Sequence, residues 1–289
     1  MTIEAGPSIR VRLDLSYDGT DFSGWASQPG RRTVQGVLET ALATVLRTGP
    51  ITLTVAGRTD AGVHATGQVA HFEVAPEVWA EQGEKLVRRL AGVLAPDVRV
   101  RAATVVPATF DARFAALWRS YEYLIDDGDG GPQPLSRNYV LGWRRHLDTG
   151  AMATAAIGLS GLHDFAAFCK RRDGASTIRT VLDFTVERTG DLIACRIRAD
   201  AFCHSMVRSL VGALIAVGER RRPVEWPVEL LERRVRADEV PVAAPHGLRL
   251  VAVGYPADDE LAARAAQTRA VRTLPVIERP GGESGDAEA

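Results

Sequence analysis

The chain has 289 residues, 46% hydrophobic and 25% charged, which supports one large or two modest cores and excludes a disulfide miniprotein or a chain disordered throughout. Its longest apolar run covers only residues 210–218, far short of the roughly 20 residues that cross a bilayer as a helix, so no membrane span is expected. Thirty-five basic and 36 acidic side chains leave a net charge of -1, which disfavours a polyanionic partner until the distribution is considered. Residues 278–289 carry Glu278, Glu283, Asp286 and Glu288 against Arg279 alone, leaving the rest of the chain mildly basic at +2. Lys85 and Lys170 are the only lysines beside 33 arginines. The planar guanidinium suits phosphate and base edges, although codon bias in a GC-rich genome produces the same excess.

In chain order, Ile9, Val11, Leu13, Leu15 and Tyr17 alternate with polar partners, the period of a strand with one wet face. From Thr33, a candidate N-cap, Val34, Val37, Leu38, Ala41, Leu42, Val45 and Leu46 recur at helical spacing. Residues 51–56 and 68–74 read as strands around a glycine-punctuated loop, 57–67, followed by a helix over 77–93 and a strand over 98–106. After Pro107 the pattern begins again. Strands are expected at 117–125, 178–187, 192–200 and 248–254, and helices after Asp148, at 204–218 and at 226–236. Two rounds of strands mixed with helices argue an α+β fold with a mostly antiparallel sheet. The expected domains are 1–106 and 107–256, with 257–289 a flexible acidic tail.

The loop 57–67, GRTDAGVHATG, is the most unusual stretch. Its three glycines let the backbone approach a ligand closely, and they hold up one carboxylate, Asp60, flanked by Arg58 and His64. A phosphate-binding loop would need lysine after the second glycine, where Val63 and His64 stand. A tight turn whose Asp60 merely bonds its own amides is the plainer alternative. His64, His71, Cys203 and His204 lack zinc spacing. Residues 14–25 fail as a calcium loop because Trp25 stands at its twelfth position. Lys170, Arg171 and Arg172, like Arg220, Arg221 and Arg222, are basic clusters that suit phosphates or simply form solvated faces.

GRTDAGVHATGQVAHF resembles the active-site segment of the tRNA pseudouridine synthase A (TruA) family. Further blocks agree in order: residues 17–25 and 32–36, 110–125 (FDARFAALWRSYEYLI), His163 to Phe165 with Phe168 and Cys169, 175–181, 202–212 (FCHSMVRSLVG) and 244–248. Agreement of many separated blocks is more specific than any one. The resemblance implies two α+β domains joined by an extended sheet, and an isomerase that converts uridine to pseudouridine at positions 38, 39 and 40 of the tRNA anticodon stem-loop. That reaction breaks the N-glycosidic bond, turns the uracil and joins C5 to C1′, so it calls for no cofactor and no metal. Asp60 would be the nucleophile, adding to sugar or base or else drawing a ribose proton to give a glycal.

By the same resemblance Arg208 would orient Asp60 through a bidentate contact, and Tyr121 would stack on the target base with its hydroxyl near the reacting atoms. Arg58 would replace the flipped base or, more simply, touch phosphate, and His64 would contribute to substrate binding. Two departures from the family pattern are Ala26-Ser27 after Trp25, where glutamine often follows, and Asp111, where histidine is frequent. The expected partners are tRNA and a second copy of the chain. No export signal is apparent, and Cys169, Cys195 and Cys203 form no C-x-x-C pair, so a cytoplasmic protein with reduced thiols is expected. A glycosidic hydrolase and a non-catalytic RNA-binding protein are the rival readings.

Overall fold

The computed structural model describes residues 7–170 and 176–269. In chain order the elements are β1 (Ile9–Tyr17), α1 (Val34–Leu46), β2 (Thr54–Val55), β3 (His64–Val74), α2 (Pro76–Gln82), α3 (Leu86–Val93), β4 (Val98–Val106) and β5 (Trp118–Asp126). They continue with β6 (Leu141–Gly142), α4 (Thr149–Gly158), β7 (Gly161–Asp164), β8 (Ile178–Thr189), β9 (Leu192–Ala199), α5 (Met206–Gly218), α6 (Trp226–Glu232), β10 (Leu248–Gly254) and α7 (Leu261–Arg269). The mixed α+β composition expected from the sequence is present. Local chemistry sets the cleanest boundaries. Thr33 Oγ1 accepts from the Gly36 N–H at 3.3 Å to start α1, and Asp148 Oδ1 accepts from Ala151 N–H at 3.0 Å to start α4.

One sheet runs through the molecule in the order β4-β1-β3-β10-β5-β9-β8-β7, with β2 on β3 and β6 on β5. Its pairs are antiparallel except β3 with β10 and β5 with β6. Strand β10, last in sequence, thus joins the two rounds of strands into one sheet. A single cross-strand row passes through the join: Tyr17 pairs with Ala65, Ala65 with Leu250, Leu250 with Tyr121, Tyr121 with Ile197 and Ile197 with Phe184. All six are buried in one core together with apolar side chains of α1, α3, α4, α5 and α6. The helices of both rounds therefore share one face of the sheet. The stretch of the row from Tyr17 to Tyr121 crosses the join between the two rounds of strands.

Four differences from the sequence reading have physical causes. The helix expected over 77–93 is broken by a 3-10 turn at Gly83–Lys85, where the Trp79 ring lies 2.6 Å from the place a Gly83 Cβ would take. Helix α5 begins at Met206 rather than at 204, because Ser205 adopts φ 63, a left-handed conformation that cannot extend the helix backward. The stretch after Pro256 is not all tail: α7 buries Leu261 and Ala265 against Phe110, Ala112 and Ala115 on the opposite face of the sheet. Residues 270–289 lie outside those described. The expectation of three free thiols is also corrected. Cys169 and Cys203 form a disulfide, with Cα atoms 5.8 Å apart, while Cys195 is free and buried. Burial pushes the Cys195 thiol up to about 12. Among the described residues no helix is long and apolar enough to cross a membrane.

The second half has a buried ion pair that anchors β8 to the segment before α4. Arg188 donates from Nη1 and Nη2 to Asp127 Oδ1 and Oδ2, both at 2.7 Å, and Leu147 N–H adds a third bond at 2.7 Å. Burial alone would raise the Asp127 carboxyl, but the Arg188 and Leu147 bonds outweigh it and hold it below 3.8. A depressed folded value means that the stabilisation is present at neutral pH and lost as pH falls from about 3.8 through the lower folded value. Asp127→Asn should therefore lower stability at pH 7 and flatten its acid dependence, read by urea unfolding across pH. An unchanged pH slope would contradict this assignment.

Candidate active site

Asp60 is carried by the turn between β2 and β3, at the join of the two helix groups. The turn is pinned from below. Tyr17 and Thr59 share a hydrogen bond between their hydroxyls at 2.8 Å. Gln68, fully buried, donates from Nε2 to the Gly57 carbonyl at 2.8 Å and to Tyr17 Oη at 3.2 Å. Arg119 Nη2 donates to the Ala56 carbonyl at 2.8 Å, and Trp25 N–H donates to the Thr59 carbonyl at 3.0 Å. Burial pushes the Tyr17 phenol up to about 12, so it remains a neutral bridge between Thr59 and Gln68. Gly62 sits at φ 76 with Pro245 closing over it, 3.0 Å from where a Cβ would stand. Only glycine meets both requirements without strain.

The other half supplies the partners of Asp60. Arg208, in the first turn of α5, donates from Nη1 to Asp60 Oδ2 at 3.3 Å and from Nε to the Ala243 carbonyl at 2.7 Å. The Ala243 N–H returns a bond to the Arg208 carbonyl at 3.0 Å. The guanidinium fork is thus shared between the carboxylate and the 243 strap. The expected bidentate grip on Asp60 is corrected to a single contact. His204 Nε2 approaches the other carboxylate oxygen, Oδ1, at 3.4 Å. Asp60 keeps 26% of its side chain accessible, enough to meet a ligand while flanked by two basic groups.

Tyr121 stands beside this pair in the cross-strand row, its ring edge-on to Phe202 at 5.0 Å and its hydroxyl next to Gly57. Burial, with the Asp60 charge adding to it, raises the phenol well above 10, so Tyr121 is a neutral O–H donor at physiological pH. Arg58 is exposed on the same turn. His64 is placed differently. It opens β3 one residue before Ala65 of the row, so alternation sends its ring to the opposite face. There it is 5% exposed, accepts from the Gly19 N–H at 3.0 Å and lies 3.1 Å from Asp18. Burial lowers its pKa against the pull of Asp18, and His64 supports the loop from behind instead of lining the site.

The structure therefore brings Asp60, Arg208 and Tyr121 together, keeps Arg58 at their rim and leaves His64 apart. Sequence reasoning missed His204, Tyr17, Thr59 and Gln68. Gln68 had a detectable signal, a polar residue at an inward position of an otherwise apolar strand. Asp111, a departure noted above, accepts from Arg113 and Phe114 N–H groups at 2.8 Å and so shapes the turn before β5. Arg220 pairs with Asp148 at 3.2 Å, Arg221 with Glu219, and Arg222 lies over the Trp226 ring. Arg171 and Arg172 lie outside the described residues.

A carboxylate held between basic groups, beside a neutral tyrosine, fits chemistry at an electrophilic carbon or a sugar proton. Comparison with known proteins identifies the family. Residues 15–115 and 155–256 match the sequence profile of the tRNA pseudouridine synthase family. The chain is 56% identical over 279 residues to tRNA pseudouridine synthase A of Streptomyces griseus, covering 95% of this chain and 98% of that one. It is 56% identical to the protein of that name from Frankia casuarinae over 268 residues, 92% of this chain and 97% of that one. For the Mycobacterium leprae protein of the same name the identity is 49% over 276 residues, 92% and 96% of the two chains. The chain belongs to the tRNA pseudouridine synthase family, isomerases that convert uridine in tRNA to pseudouridine.

Arg208→Lys keeps a charge but not two donors spread over Asp60 and Ala243. Turnover should fall about ten- to a hundredfold, the worth of one hydrogen bond to a charged group, with little change in melting temperature. Parent-like kinetics in the lysine variant would show that Arg208 does not orient the carboxylate.

Proposed function

We propose that this enzyme isomerises uridines 38, 39 and 40 of the tRNA anticodon stem-loop with Asp60 as the reacting carboxylate. The observation that carries the reading is the Asp60–Arg208 contact, 3.3 Å across the join of the two halves, beside the buried Tyr121. In the reaction the N1–C1′ bond breaks, the uracil turns while held, C5 bonds to C1′, the C5 hydrogen leaves as a proton and N1 ends carrying a proton, so the formula is unchanged. No net electron transfer occurs. The Asp60 carboxylate serves either entry to this sequence, by adding to the sugar or base or by taking a ribose proton. Arg208 aims it through the contact to Oδ2. Tyr121 presents a ring for the target base to stack on and a neutral O–H for proton transfer. Arg58, at the exposed rim, fills the stem position that the flipped nucleotide leaves, or meets the phosphates beside it.

The cleft in this reading separates units 1–106 and 107–256, the enzyme is cytoplasmic, and it works as a homodimer in which one tRNA touches both subunits. The dimer reading rests on the family resemblance and on the charge balance, since a chain of net charge -1 needs a local arginine strip to hold a polyanion. Two copies lengthen such a strip. Sedimentation at assay concentration should show a dimer, and a fully active monomer would contradict this.

Unmodified tRNA labelled with tritium at uracil C5 tests the site. The parent should release tritium and no free uracil, which separates it from a hydrolase. Asp60→Asn should retain tRNA binding and lose release by about a thousandfold or more. Tyr121→Phe, which keeps the stacking ring, should lose about a hundredfold through the missing hydroxyl. Substantial release by Asp60→Asn would remove that carboxylate from the reaction.

A further inference from the structure

We propose that His204 is a positioning residue for Asp60, holding carboxylate oxygen Oδ1 while Arg208 holds Oδ2. The inference rests on the reading of Asp60 as the reacting group. His204 Nε2 lies 3.4 Å from Oδ1, and Arg208 Nη1 lies 3.3 Å from Oδ2. A carboxylate held at one oxygen still turns about its Cβ–Cγ bond. A second donor on the other oxygen fixes its plane, and with it the lone pair that faces the substrate. Contacts of this length in a free enzyme tighten once a ligand closes the site.

One further contact reaches the imidazole, and others hold its backbone. Ser205 Oγ lies 3.3 Å from His204 Nδ1; in the tautomer the proposal uses, the hydroxyl donates to Nδ1 and the ring proton stands on Nε2, facing Asp60. The His204 carbonyl accepts from the Lys170 N–H at 3.1 Å. The preceding residue, Cys203, is tied to Cys169. Ser205 stands at φ 63, a left-handed conformation costly for any residue with a Cβ, and such strain persists where surrounding structure imposes it. That conformation bounds α5 at its N-terminus and leaves His204 outside the helix, facing the carboxylate. Among the described residues, the charged group in contact with the ring is Asp60 on its turn, whose other oxygen meets Arg208 on α5. The His204 side chain is 39% exposed. Its contact to Asp60 is therefore a polar one at the mouth of the site and not part of the core.

Three variants test the role: His204→Ala, His204→Phe, which fills the space without a donor, and His204→Gln, whose amide can donate to Oδ1. Single-turnover tritium release and tRNA affinity are measured for each, with melting temperature as a control. The alanine and phenylalanine variants should release tritium about tenfold more slowly with unchanged tRNA Kd, and the glutamine variant should recover most of the loss. Where His204→Ala melts well below the parent, His204→Phe decides. Parent-like rates in His204→Phe would overturn the proposal, as would failure of glutamine to exceed alanine. Weaker tRNA binding with a smaller salt slope and an intact rate would make His204 a phosphate contact and overturn it as well. Asp60→Asn is run alongside. Full activity in that variant would defeat the reading of the site, whereas its inactivity beside indifferent His204 variants would defeat only this inference.

Discussion

One carboxylate, Asp60, is held at the point where two halves of the chain meet, and much of the structure converges on that contact. A partly buried Asp pays for lost hydration unless a cation and fixed donors replace the water. Here the carboxylate comes from a turn in the first half, while Arg208 and His204 come from the second. Their meeting is possible because β10 closes the sheet between β3 and β5, placing Tyr17, Ala65, Leu250 and Tyr121 in one row beneath the site. Both helix groups lie on the same face, so the site sits between them. Without the closing strand, the two halves would share no common floor.

The turn that carries Asp60 has no regular structure, so its stiffness is supplied from neighbouring elements. Backbone carbonyls at Ala56, Gly57 and Thr59 are each taken by a donor from a different part of the chain: Arg119, Gln68 and Trp25. A buried network of this kind fixes geometry when every member is satisfied. Arg119 illustrates the cost. Burial lowers its pKa, and three carbonyls, those of Ala56, Arg113 and Asp200, take up its donors. The disulfide between Cys169 and Cys203 gives the residues just before α5 a comparable restraint.

Much of this was legible in the amino-acid order where the cause is local. Thr33 and Asp148 announce their helices because a cap acts within three residues, and β1 announces itself because its alternation is uninterrupted. The carboxylate loop was legible because its residues are contiguous. What escaped depends on distant partners. Helix α7 is stabilised by Phe110 and Ala115, far away in sequence, and nothing in its own composition reveals that contact. The Cys169–Cys203 pair is set by the packing of two loops, not by spacing. His64 was drawn toward the site by its nearness to Asp60 in sequence, yet the strand begins at that residue and alternation turns it away. His204 was hidden by a helical pattern that continues through Ser205, whose left-handed backbone cannot be read from hydrophobic periodicity.

The central claim is that the nucleotide to be altered enters the join and meets Asp60. It is tested most directly by a structure of the Asp60→Asn variant bound to an unmodified anticodon stem-loop. The account predicts one uridine turned out of the stem, its base on the Tyr121 ring, its C1′ in van der Waals contact with the residue 60 side chain, and Arg58 at the vacated position. A stem-loop bound with every base stacked in place, or a flipped uridine whose sugar lies away from residue 60, would contradict it.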